Sequence, residues 1–235
     1  MNRQCRLSAV VSAAILAAMA TFAALALPTA ALAKEELPKQ TEDGLVLQKG
    51  EEAAVLYVRP GVDFSQYKRV AILDCPVAFR KNWDKDHRFG PDRVTPKEMD
   101  AIRSWLSAEF LKVFTEELQN KGGYTVVKDA AEDVLVLRPA IIDLDVTAPD
   151  TMSAGRSYTL SEGSGAMTLY LELHDSVTGQ ILARAIDRGV SRGMGRIQWQ
   201  TSVTNSAEAD RILRRWADAL RKRLDEAHAV AKATP

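Results

Sequence analysis

Hydrophobic and polar positions alternate most cleanly between Gly165 and Asp187. Leu169, Leu171 and Leu173 alternate with Thr168, Tyr170, Glu172 and His174, the period of two that marks a half-buried strand. Asp175-Ser176-Val177-Thr178-Gly179 supplies a turn. Asp accepts hydrogen bonds from backbone just ahead of it, and Gly takes the left-handed conformation. Ile181, Ala183 and Ala185 carry the return strand. A loop of about five residues predicts Leu173 opposite Ile181, Leu171 opposite Ala183 and Leu169 opposite Ala185, with the apolar faces coinciding. Glu172 then lies diagonal to Arg184.

Other segments read less cleanly. Residues 34–53 are polar and mixed in charge and read as a flexible arm. Val55–Val58 is a short strand. Pro60-Gly61 turns the chain, and Asp63 caps a single helical turn to Tyr67. Val70–Phe79 is apolar on both faces except at Asp74, the pattern of a strand covered on two sides and central in its sheet. The segment Arg80–Pro91 is charged, aperiodic and long for a loop. Thr95-Pro96-Lys97-Glu98 is a helix start with a capping box. The stripe Met99, Ile102, Leu106, Phe110 and Val113, widened by Trp105, Phe114 and Leu118, carries that helix to about Gln119, before Gly122-Gly123.

Tyr124–Val127 is a strand and Val134–Val146 a long one, in which Pro139 suggests a bulge or an edge. Asp143 and Asp145 sit two apart on it, on one face. Thr147–Ser164 is a second loop. Gly189–Thr204 is weakly patterned. Asn205-Ser206-Ala207-Glu208 opens the last helix with another capping box, and Ala209, Ile212, Leu213, Trp216, Leu220 and Leu224 form its buried face. Residues 229–235 are a tail. The expected fold is α+β, a mostly antiparallel sheet of about five strands packed by two long helices, in a single domain spanning 54–228.

The N-terminus changes the picture. Arg3 and Arg6 precede an apolar run from Leu7 to Leu27, and Ala31-Leu32-Ala33 follows. This is the pattern of a signal peptide over 1–33, with cleavage expected after Ala33 and a periplasmic destination. An uncleaved anchor is the alternative, since about 20 apolar residues span a bilayer. Cys5 precedes the apolar run and is not a lipidation site. Cleavage takes away two of the 31 basic residues and none of the 31 acidic ones, leaving a net charge of about −2. That balance gives no case for nucleic acid as a partner. No second apolar run suggests a transmembrane span after signal removal; peripheral membrane association stays open. Cys75 is the one cysteine left, and it reads as a small buried hydrophobe.

Candidate chemistry is sparse. Glu172, His174, Asp175 and Asp187 collect on the hairpin, and Glu172 and His174 share its polar face, an acid–base or metal possibility set against a solvated strand face with Asp175 used in the turn. Asp84, Asp86 and His87 lie close together, but a loop fixes no ligand geometry. Asp143 and Asp145 could act as paired carboxylates or mark the solvent end of a strand. Trp83 and Phe89, with His87, stand in the charged loop as candidate partner anchors, because aromatics dominate interface hot spots. Arg184, Arg188, Arg192 and Arg196 recur along one segment as a candidate basic patch for an anionic glycan, lipid headgroup or acidic protein, or a charged strand edge. No nucleophile elbow, zinc-protease motif or Walker loop occurs. No cofactor or metal is expected.

Several stretches together resemble a known family. They are Y-V-R-P-G-V-D-F-S-Q-Y-K-R-V (57–70), L-D-C-P-V, G-G-Y-T-V-V, V-L-V-L-R-P-A-I-I-D-L, D-S-V-T-G-Q-I-L-A-R-A-I-D-R and W-A-D-A-L-R-K-R-L-D. In this order they resemble the bacterial domain-of-unknown-function family 3313, exported envelope proteins that are mostly lipoproteins. The resemblance covers about residues 55–226. It implies an envelope location and no established activity, and this sequence departs from it in lacking a lipidated cysteine. The expected function is a non-enzymatic periplasmic domain that binds an envelope protein. The alternatives are an envelope hydrolase acting on cell-wall or glycan material, and a carrier of a small ligand or lipid.

Overall fold

In a computed structural model, the described residues are 37–48, 55–89, 93–146, 159–161, 165–190, 198–200 and 202–233. The strands are β1 (Val46–Gln48), β2 (Val55–Val58), β3 (Arg69–Ile72), β4 (Val77–Phe79), β5 (Thr125–Val126), β6 (Val134–Val146), β7 (Thr159–Ser161), β8 (Gly165–Asp175), β9 (Ile181–Val190) and β10 (Gln198–Gln200). The helices are α1 (Trp83–Asp86), α2 (Pro96–Thr115) and α3 (Ser202–Ala233). From Pro38 onward the chain forms one unit.

An eight-stranded sheet runs β1-β2-β9-β8-β6-β3-β5, with β4 also paired to β6. The α+β class stands, but the sheet is mixed rather than mostly antiparallel and has more than five strands. β3, β4 and β5 join through parallel pairs; the pairs from β1 to β6 are antiparallel. β7 and β10 form a separate antiparallel pair, so part of the expected Thr147–Ser164 loop is strand.

The hairpin forms two residues out of the expected register. Leu173 faces Ala183, Leu171 faces Ala185 and Leu169 faces Asp187: the turn sets His174 opposite Ile181, one residue from the expected register, and a bulge between Leu173 and His174 adds the second. A shift of two preserves which side chains share a face. It does set Glu172 directly opposite Arg184, not diagonal to it. The turn is built as its residues suggest. Asp175 Oδ1 accepts from the backbone N–H of Val177 (3.1 Å) and of Thr178 (2.7 Å), and Gly179 takes φ 68°.

Val70–Phe79 is not one strand. It breaks between Ile72 and Val77, and both pieces run along β6. Pro139 accounts for the break. Leu73 N–H donates to Leu137 C=O, and Ile141 N–H donates to Pro76 C=O. Residue 139 has the same parity, so its missing N–H faces the gap between β3 and β4. Pro139 therefore sits in an interior strand, neither at an edge nor at a bulge, where the neighbouring strand asks for no donor. The bulge in β6 lies further on, between Ile142 and Asp145.

Both long helices contribute to one core with one face of the sheet. Leu106, Phe110, Val113 and Phe114 of α2 and Ile212, Leu213, Trp216, Ala217 and Leu224 of α3 are buried with Leu135, Leu137, Ile141, Leu169, Leu171 and Leu173. The Thr95 capping box forms as expected, Glu98 N–H donating to Thr95 Oγ1 and Thr95 N–H to Glu98 Oε2. α2 then widens into a π-helical stretch, Glu116–Lys121, before Gly122. α3 begins at Ser202, so Asn205–Glu208 lies inside the helix and does not cap it. It reaches Ala233, through most of the expected tail. Gly189 allows α3 to approach β9: an added Cβ would meet Ile212 Cγ2 at 2.3 Å.

Residues 38–48, placed in a flexible arm by composition, are ordered against the sheet. Leu45 is wholly buried. Tyr57 Oη–H donates to Pro38 C=O (3.0 Å), and β1 pairs with β2.

Candidate functional site

The polar face of β8 carries the densest chemistry. Tyr170, Glu172 and His174 alternate outward there, and the register brings Arg184 of β9 opposite Glu172. Glu172 Oε1 accepts from Tyr170 Oη–H (2.8 Å) and from Arg184 Nη2 (2.9 Å). Glu172 Oε2 meets His174 Nε2 at 3.0 Å. His174 Nδ1 lies 3.1 Å from Gly179 C=O, and Arg184 reaches Asp43 at 2.8 Å. Burial alone would raise the Glu172 pKa, but the hydrogen bonds from Tyr170, His174 and Arg184 outweigh it and hold it low. Its two oxygens are spent on these partners, and both histidine nitrogens are engaged. The arrangement is a closed ion-pair cluster that ties β8, β9 and the Asp43 segment together.

The other acid candidates are also separated or occupied. Asp143 takes φ 52° in the β6 bulge, which breaks the alternation that would place it on one face with Asp145. Asp145 pairs with Arg80 Nε at 3.0 Å. Asp86 pairs with Arg80 (2.7 Å) and Asp84 with Arg88 (3.6 Å). Among the described residues no group of three or more His, Cys, Asp and Glu could hold a metal ion. Cys75 is buried, and burial pushes its thiol up to about 12.

Arg80–Pro91 proves to hold a helical turn, α1. Trp83 is fully buried, stacked between Phe79 (ring centroids 4.3 Å) and His87 (4.1 Å). Its indole N–H has no acceptor among the described residues. His87 Nδ1 contacts Trp83 C=O at 2.8 Å. Phe89 is different: it is 83% exposed. Trp83 and His87 thus build the corner from which Phe89 projects. Arg188 is exposed on β9, opposite Thr168 of β8. Arg192 and Arg196 lie outside the described residues.

Periodicity missed one surface. Trp105, assigned to the core stripe, is 39% exposed. It lies on the outer face of α2 with Ala101, Ser104, Ala108 and Leu111, all exposed. Helical geometry places these five within about a third of a turn, and none is charged. The signal was available: Trp105 precedes Leu106, and adjacent residues on a helix point about 100° apart. Asp187 was missed too. Read as part of the hairpin's polar set, it lies on the core face, where it accepts from Trp216 Nε1–H (2.7 Å). A buried indole N–H calls for such an acceptor.

Residues 41–220 match the family described as "Protein of unknown function (DUF3313)", and the chain belongs to that family. No curated protein matches it. Among solved structures it is similar to a PelC dodecamer from Paraburkholderia phytofirmans, at 12% identity and a TM-score of 0.38, covering 72% of this chain and 97% of that one. It is also similar to a putative neuraminyllactose-binding hemagglutinin homolog from Helicobacter pylori, at 11% identity and a TM-score of 0.36, covering 71% and 92%. A DUF4136 family protein from Bacteroides thetaiotaomicron gives 10% identity and a TM-score of 0.33, covering 77% and 98%. Likeness at this level carries no argument about function. Among the described residues no helix is long and apolar enough to cross a membrane.

Proposed function

We propose that this chain is an exported, non-enzymatic envelope protein that binds a partner protein. The contact face on this reading is the outer side of α2 around Trp105, with Phe89 as a second anchor. The carrying observation is the contrast in exposure. Glu172, His174 and Asp145 sit inside ion pairs, while Trp105, Leu111 and Phe89 are large apolar side chains left open to solvent. Exposed aromatics are what protein interfaces use as anchors. The signal-like run 7–27 and the Ala31-Leu32-Ala33 site support export with cleavage after Ala33. His87 positions Phe89 through the Trp83 stack. Arg188, with Arg192 and Arg196, is a candidate rim contact for acidic groups on the partner. Against the hydrolase alternative stands the absence of a free carboxylate–histidine pair at Glu172 and His174.

The test is photo-crosslinking in cells, with a photoreactive residue at position 105 and, as control, at position 138 on the opposite face of the sheet. A discrete adduct from 105 that fades in Leu111→Ser or Phe89→Ser is the expected result. Equal adduct patterns from both positions, or none from 105, overturns the reading.

A further inference from the structure

Where the π-helical end of α2 meets the last turns of α3, a cleft of about 380 Å³ is lined by Lys68, Gly123, Tyr124, Asp225, His228 and Lys232. That size lies within the range of small-molecule sites. Its wall is a charge network that closes on itself. Arg221 bonds Glu117, Asp218 and Asp225; Lys121 bonds Glu117, and Lys222 bonds Asp218. Three acids are thus matched by three bases. Asp225, the one acid lining the cleft, also accepts from Tyr124 Oη–H at 2.9 Å. Burial and that bond to Asp225 hold the phenol well above its usual pKa, so it stays a donor.

The remaining cations are surplus. Neither Lys68 nor Lys232 makes an ion pair or side-chain hydrogen bond among the described residues. Asp133, the acid nearest in effect to Lys68, is already held by Arg69. Asp63 lies near enough to His228 to feel its charge, but its carboxylate accepts from Ser65 N–H. His228 Nδ1 is committed to Leu224 C=O (2.8 Å), which leaves Nε2 without a partner among the described residues. Gly123 takes φ 75°, and an added Cβ would meet nothing within 4 Å. Its N–H likewise finds no acceptor there.

We infer that this cleft binds the phosphate end of a small organic molecule. Two lysine ammonium groups, each carrying three N–H bonds, act as separate point donors that can approach a tetrahedral oxyanion from several sides. A planar carboxylate is better matched by an arginine fork, and no arginine lines the cleft. The phosphate could belong to a soluble monoester or to a phospholipid headgroup, and the experiment separates these.

The protein in its exported form, labelled with ¹⁵N, is titrated with glycerol phosphate and with inorganic phosphate. In parallel it is floated with phosphatidylglycerol vesicles and with phosphatidylcholine vesicles. Amide shifts at Gly123 and Tyr124, with affinity falling about tenfold or more in Lys68→Ala/Lys232→Ala, are expected. Binding to glycerol phosphate identifies a soluble source. Flotation with phosphatidylglycerol alone, lost in the double variant, identifies a headgroup. Both lysines are exposed, so unchanged thermal melting of the variant accompanies either result. No shift at those amides with any probe, or unchanged affinity in the variant, overturns the inference. Neither result bears on crosslinking from position 105, so the two proposals fail separately.

Discussion

Tyr170, Glu172, His174 and Arg184 on the sheet, and Tyr124, Asp225, His228 and Arg221 at the helix junction, are two clusters of the same four kinds of side chain. In each a tyrosine hydroxyl and an arginine donate to one carboxylate. They differ in what is left over. On the sheet, His174 spends both ring nitrogens, one on Glu172 and one on Gly179 C=O. At the helix junction, His228 spends one, and two lysines beside it have no acid of their own. The first cluster lies on a pleated strand surface whose geometry is fixed by register. The second lines a cleft. Composition alone would rank them equally; the number of donors without acceptors separates a structural clamp from a candidate site.

The comparison can be broken most forcefully on β8 itself. Leu171 and Glu172 are neighbours on opposite faces, and Leu171 is buried in the core. Leu171→Ala is expected to cost ~2–5 kcal/mol in urea unfolding, through lost transfer energy and a residual cavity. If the sheet cluster is a clamp, Glu172→Ala should cost ~1–3 kcal/mol, because Arg184 and His174 lose an acceptor while largely buried. A neutral Glu172→Ala would remove the distinction between the clusters.

The pH dependence sharpens the same point. The Glu172 pKa is lowered in the fold, so its contribution is complete above its unfolded value of about 4.3 and is lost as pH falls through the folded value. The stability gap between the native chain and Glu172→Gln should therefore shrink below that pH. Asp175, also held low through its turn hydrogen bonds, keeps the same sign of dependence in both proteins. The smallest effect is expected at the open cluster. Asp225→Asn should cost about 1 kcal/mol, since Arg221 keeps Glu117 and Asp218. The same change should tighten glycerol phosphate binding a few fold by removing a negative charge. Weaker binding would make Asp225 a support that holds the cleft in shape for the ligand.

Much of the fold was legible because it is written in local chemistry. The Thr95–Glu98 box, the Asp63-capped turn, the Asp175–Gly179 turn and the alternation of β8 each depend on residues a few positions apart. Register was less legible. The turn and the bulge at His174 each moved the pairing by one, two in all, and alternation cannot distinguish even shifts. The face of Trp105 was misread because a wide stripe on a helix does not say where burial stops. The helix-junction cluster was not legible at all: Tyr124 and Asp225 are 101 residues apart, and the Asp225/His228 spacing on one helix face is too common to single out.

The sequence by itself determined the β8–β9 hairpin and its turn, the capped start of α2, the long strand β6 and the family, since period, capping and turn propensity act over short range. The tertiary structure alone decided the mixed sheet, the gap opposite Pro139, the bond from the Trp216 indole to Asp187, and which charges found partners. Those depend on which distant segments meet. An ionisable side chain becomes a clamp or a free donor only when the groups across from it are fixed.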